Sequence, residues 1–179
     1  MSASSWFSKM TGTGMKLENL ENLLVLQLED LYSAEDQLIE ALPKMADAAS
    51  SPELKSAFET HLEETRHQKR RIEEVFRMLG KEPKMETCEA MKGLIAEGSE
   101  IIDLEGEPDV KDAALIAAAQ RVEHYEIAGY GCVRAFARRL GRQNVAQLLQ
   151  QTLDEEANAD KILSHIAETS VNVEASAHH

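Results

Sequence analysis

Basic residues are in short supply in this chain, with 19 Lys and Arg against 32 Asp and Glu and a formal charge of −13. A surface that neutralises phosphates needs clustered Lys and Arg, so nucleic acid is excluded as an expected partner, and an anionic membrane is disfavoured on the same ground. The two cysteines, Cys88 and Cys132, form no C-x-x-C pair. They supply no disulfide framework, which fits a reducing cytoplasm. No apolar run approaches the roughly 20 residues of a membrane span, and the first residues lack the charged and apolar regions of a signal peptide. Prolines number four and aromatics make up 4% of the chain, which leaves few helix breakers and little of the composition of a β-rich core.

What the chain does have is Ala, Leu, Glu and Gln arranged with helical periodicity. Residues 1–14, rich in Ser, Thr and Gly, read as a disordered leader. Residues 15–168 read as a single domain and 169–179 as a flexible, frayed tail. From Leu17 to about Ala49 the apolar positions Leu20, Leu24, Leu28, Leu31, Leu38, Leu42 and Met45 follow the spacing of one long amphipathic helix. Pro43 predicts a kink or a local break in it. Ser51 and Pro52 start a second helix that Gly80 closes. A shorter helix over 86–104 follows, with Met91, Leu94 and Ile95 expected on an exposed face. Two more long helices, 112–140 and 145–168, flank the turn at Gly141 and Arg142. The reading is all-α: a four-helix bundle of two antiparallel hairpins joined by a long crossover that contains a short helix.

Acids interrupt the apolar stripes. Glu123 and Glu126 lie three apart, hence side by side on one helix face, with Glu126 near the centre of the stripe. Glu35 falls within roughly 30° of the stripe centre on the first helix, whereas Glu29 points away. On the second helix His61 is central, Glu64 is on the shoulder and His67 faces outward. On the fourth, Glu156 is central, Asp160 follows one turn on, and Glu155 is on the shoulder. Residues equidistant from a tight antiparallel turn lie side by side, so reflection through the two hairpin turns places Glu64 near Glu35, Glu156 beside Glu126 and Asp160 near Glu123. Every long helix is thus expected to carry an inward acid at one height. Such a group of carboxylates would repel severely without cations. Core salt bridges to Arg121, Arg134 or Arg138 are the competing explanation. Tyr32, Tyr125 and Tyr130 are read as packing and hydrogen-bonding, and Cys132 as a small buried residue. Gly129 and Gly131 imply close helix approach or room for a channel.

With Glu35, Glu64, Glu126 and Glu156 on successive helices, the chain resembles the ferritin-like di-iron carboxylate superfamily. The blocks LYSAEDQLIEALPKM, HLEET, CEAM, ALIAAAQRVEHYEIAGYG and LDEEANAD are similar, more closely, to the bacterial YciE/YciF family of ferritin-like, stress-associated proteins, from about Leu17 to Ala167. The resemblance implies a ferritin-like bundle, usually a homodimer, with a metal site formed by Glu35, His61, Glu64, Glu123, Glu126, Glu156 and Asp160. Two iron ions are the implied cofactor, with manganese or zinc as substitutes. Asp160 stands where a rubrerythrin-like site would have His, which counts against rubrerythrin-like peroxidase chemistry. Without C-x-x-C pairs for a rubredoxin centre, any electron donor would be external and is unidentified. Two functions stay open: a di-metal stress protein that oxidises Fe(II) with oxygen or peroxide, and a non-catalytic structural or partner-binding bundle with an inert or empty site.

Overall fold

A computed structural model describes residues 17–178, and the expected leader lies outside the described residues. Among these, the regular elements are helical: α1 (Leu20–Ala48), α2 (Pro52–Leu79), α3 (Glu89–Asp103), α4 (Pro108–Arg139) and α5 (Gln143–Ile166), then a π-helical turn (Ala167–Val171) and α6 (Asn172–Ala175). The ends follow local chemistry. The Asn19 side chain accepts from the Asn22 N–H and the Ser51 hydroxyl from the Leu54 N–H, with Pro52 just inside α2; each cap satisfies an otherwise orphaned donor. Gly80 ends α2 at φ 67°, the left-handed conformation that glycine adopts without a Cβ clash. α1 runs through Pro43 without the break that was one expectation. Buried Leu42, Met45 and Ala46 hold the flanking turns against the rest of the core.

One buried acid orders the topology. Asp112 accepts the backbone N–H groups of Ser50 at 2.9 Å and Ser51 at 2.7 Å, so α4 begins where α1 ends. Each long helix is therefore antiparallel to its neighbours, with α1 beside α2 and α4, and α5 beside α2 and α4. The connection 80–107 returns along the bundle, and its helix α3 packs on α1 and α4.

The connection also accounts for two departures from the helical-wheel reading. Glu29 does point away from the bundle axis, but it is buried because the segment around Lys84 and Glu86 covers it. Met91 is buried against the bundle, and Leu94 and Ile95 are half-buried against the same core, rather than exposed. Two further corrections lie elsewhere: Cys132 is exposed, and the expected frayed tail is helical as far as Ala175. Val171 is the reason for the last, because its side chain joins Leu163 and Ile166 in the core, which anchors the extra turns.

The core is two apolar clusters stacked along the axis. One contains Leu38, Leu42, Leu54, Phe58, Leu115, Leu163 and Ile166. The other contains Leu24, Leu28, Leu31, Ile72, Phe76, Val133 and Leu149. Glu35, His61, Glu126 and Glu156 fall between the two along their helices. The glycines of α4 differ in what they allow. A Cβ on Gly129 would lie 2.7 Å from Leu31 Cδ2, whereas one on Gly131 meets nothing within 4 Å. Close approach explains Gly129 alone, so Gly129→Ala is expected to destabilise by about 1 kcal/mol after the helix-propensity gain offsets part of the overpacking. Gly131→Ala is expected to stabilise by roughly 0.5–1 kcal/mol. Urea midpoints of the two variants, moving in opposite directions, check this.

Candidate metal centre

The layer between the apolar clusters is built by four helices. α1 contributes Glu35, α2 His61, α4 Glu123 and Glu126, and α5 Glu156, all buried, with Glu35, Glu126 and Glu156 fully so. Donor atoms of His61, Glu123, Glu126 and Glu156 all lie within 4.8 Å of one another. His61 Nε2 is 3.4 Å from Glu123 Oε1 and 3.7 Å from Glu156 Oε2, while Nδ1 is 3.5 Å from Glu64 Oε2. Glu35 adjoins this group, since the charge of Glu156 raises its cost of ionising. On its other side it accepts a hydrogen bond from the Tyr130 hydroxyl.

The remaining expected residues sit at the margin. Glu64 is half-buried and reaches the centre through His61. α2 therefore does not supply the inward acid the wheel assigned it: the position facing the axis is Thr65, whose hydroxyl donates to the His61 carbonyl. Asp160 lies at the height reckoned for it, near Glu123, but turns sideways. It accepts from Gln120 Nε2 at 3.0 Å and pairs with His124 at 3.3 Å. His67 is exposed, as its phase requires.

The electrostatics are those of charges without counter-ions. Six carboxylate oxygens, from Glu35, Glu123, Glu126 and Glu156, are buried with no hydrogen-bond partner, and His61 Nε2 is a seventh such atom. Burial drives the carboxyls of Glu35, Glu126 and Glu156 well above the ordinary carboxylate range, and mutual repulsion adds to it. Glu123, buried likewise, is pushed up to about 8. For His61, burial works against protonation, but the Glu64 hydrogen bond and the charges of Glu156 and Glu35 outweigh it, so its pKa rises.

Salt bridges do not resolve this. Arg71 makes a paired contact with Glu155, both arms at 2.9 Å, and Gln68 adds a third bond to the same carboxylate. The adjacent Glu156 has no such partner. Arg134 donates to Gln150 instead of the cluster. Among the described residues no Lys or Arg forms an ion pair with the four inner acids. Tyr130, expected to pack and hydrogen-bond, is fully buried and donates to Glu35; it stands four residues after Glu126 on the same helix and so shares that residue's face. Thr152, one turn before Glu156, accepts from Arg71.

Residues 19–176 match the domain of unknown function DUF892. YciF of Escherichia coli K12 is 45% identical over 162 residues, covering 90% of this chain and 98% of YciF. The crystal structure of that E. coli stress protein superposes with a TM-score of 0.84 over 87% of this chain and 99% of its own. YcfI of Rhodopseudomonas palustris, for which a structural role is suggested, is 40% identical with a TM-score of 0.81, over 86% of this chain and 96% of its own. A Xanthomonas campestris protein at 24% identity, covering 88% of this chain and 97% of its own, shares the fold with a TM-score of 0.70. Among the described residues no helix is long and apolar enough to cross a membrane. The chain belongs to the DUF892 family and is a homologue of E. coli YciF.

Proposed function

We propose that the buried layer is a di-metal carboxylate centre, loaded with iron, in a stress-associated protein that oxidises Fe(II) with oxygen or peroxide. The observation that carries this reading is the set of six buried carboxylate oxygens left without a hydrogen bond or a base. An unpaired buried charge costs several kcal/mol, on the order estimated for ions moved into protein; a divalent cation is the partner that meets four such groups at once. The donor chemistry fits. Hard carboxylates with one imidazole suit iron or manganese, whereas zinc usually takes fewer and softer ligands.

The inner donors are His61, Glu123, Glu126 and Glu156, with Glu35 beside them and Glu64 and Asp160 as outer residues. Bound iron supplies the one-electron redox chemistry that no side chain of the layer provides. The residues set the conditions for it. A proton on His61 Nδ1, donated to Glu64, leaves the Nε2 lone pair directed at Glu123 and Glu156, the usual way a neighbouring carboxylate fixes a ligand imidazole. Tyr130 holds one oxygen of Glu35, leaving the other free. The apolar clusters close the layer at both ends along the bundle axis. The structural role suggested for YcfI supports a second reading, in which metal is bound but does not turn over.

The experiment is to add ferrous iron to metal-free protein, admit air, and follow ferric absorbance for the wild type and Glu126→Ala. The expected result is catalysed oxidation that the substitution slows by at least about 10-fold, the lower bound for disturbing even an outer-shell partner. Stoichiometric binding without turnover would favour the structural reading.

A further inference from the structure

Beside the carboxylate layer, the cleft between α2 and α5 contains a cavity of about 400 Å³, inside the usual range of about 300–1,000 Å³ for small-molecule sites. Its inner wall is apolar and buried, formed by Phe58, Ala159, Leu163 and Ile166. Its rim carries exposed Glu53, Thr60, Asn158 and Ile162. Its floor is His61, Glu64 and Glu123. Two of the floor atoms, His61 Nε2 and Glu123 Oε2, are buried without a hydrogen-bond partner, and their residues are more than nine-tenths buried.

We propose that this cleft is a binding site for a small, mainly apolar organic molecule whose single polar end donates hydrogen bonds, an alcohol or an amine. The walls select an apolar body, because burying it there removes apolar surface from water on both sides. The floor selects the head group. It offers carboxyl oxygens able to accept, Glu123 Oε2 among them without a partner, and supplying that oxygen with a donor removes the penalty of leaving it unmet. The lining residues include no Lys or Arg, while Glu53 and Glu64 bring negative charge. A carboxylate or phosphate ligand would enter the cavity beside these two acids with no Lys or Arg to pair with. The site shares His61 and Glu123 with the proposed metal centre and is therefore a site of the metal-free protein; it follows from the shape and charge of the cleft, so it stands or falls separately from the redox reading.

The test uses metal-free, full-length protein and three probes of one shape: 2-phenylethanol, 2-phenylethylamine and phenylacetate. Binding is followed by NMR shifts of the Ala159 and Ile162 methyl groups. The alcohol and the amine are expected to shift both methyls saturably, with phenylacetate at least about 10-fold weaker, the effect of one mismatched charge of about 1.4 kcal/mol. Ala159→Phe, which fills the cavity, is expected to abolish the shifts at Ile162. Ile162→Lys, at an exposed position that does not endanger folding, supplies the missing cation and is expected to raise phenylacetate affinity above that of the amine. Equal binding of all three probes by the wild type, no saturable shift with any of them, or an unchanged preference in Ile162→Lys would overturn the proposal.

Discussion

Removing metal ions with a chelator is expected to lower the melting temperature by roughly 8–16 °C and to reverse the way stability changes with pH. The size follows from mass action: a metal present at about 1,000 times its dissociation constant stabilises the folded state by about 4 kcal/mol. In a domain of this size each kcal/mol moves the melting temperature by about 2–4 °C. The direction with pH follows from the inner carboxyls. In the metal-free protein Glu35, Glu126 and Glu156 have pKa values well above 4.5, chiefly through burial, and Glu123 is raised to about 8. A group whose pKa is higher folded than unfolded stabilises fully below its unfolded value and ceases to do so as pH rises through its folded value. Metal-free protein therefore loses stability from about pH 4.5 up through about pH 8, the value reached by Glu123. His61, raised above 6.5, acts in the same sense. Metal-loaded protein is expected to behave oppositely, since the ligands must be deprotonated to bind and affinity grows with pH. Thermal unfolding at pH 5, 6, 7 and 8, in chelator and in saturating Mn(II), measures both arms. A metal-free profile that is flat or rises across this range would show that the acids have partners after all.

The long helices, the hairpins and the common height of the acids could be read from the chain because they depend on local quantities: helical phase, and distance from a turn. Phase sets the inward direction of Glu35, His61, Glu126 and Glu156, turn distance sets the height of the acids, and the four residues lie together. Burial contributed by a distant segment was not legible in this way. Glu29 faces away from the axis, and only the return of residues 80–107 over α1 buries it. The same packing reverses the expectation for Met91 and gives buried Cys88, its thiol pushed up to about 11 by burial, a contact with Tyr125. Asp160 shows the complementary limit. Its height is right, yet a helical wheel resolves direction too coarsely to separate a side chain aimed at the axis from one aimed at Gln120 on the neighbouring helix. On α2 a single step decides the matter: Thr65 faces the axis and Glu64 the edge.

The second large effect is a substitution that strengthens the metal-free fold and weakens the loaded one. Glu126→Gln keeps the shape of a fully buried side chain while removing a carboxyl whose ionisation burial opposes and the charges of Glu156, Glu35 and Glu123 oppose further. At pH 8 in chelator the variant is expected to be more stable than wild type by about 1–3 kcal/mol, the range seen when costly buried charge is replaced by a neutral group of similar volume. The new amide adds to this by donating to the orphaned oxygens nearby. At pH 5 the difference should nearly vanish, because Glu126 is then already protonated in the wild type. In saturating Mn(II) the order reverses, since the amide is a poorer ligand and most of the metal-linked stability is lost. Most substitutions at buried positions destabilise, so a neutral replacement that raises the urea midpoint points to a residue kept at a cost in stability for what it binds. If Glu126→Gln instead destabilises the metal-free protein at both pH values, the carboxylate is a structural group and the case for a metal at this layer fails.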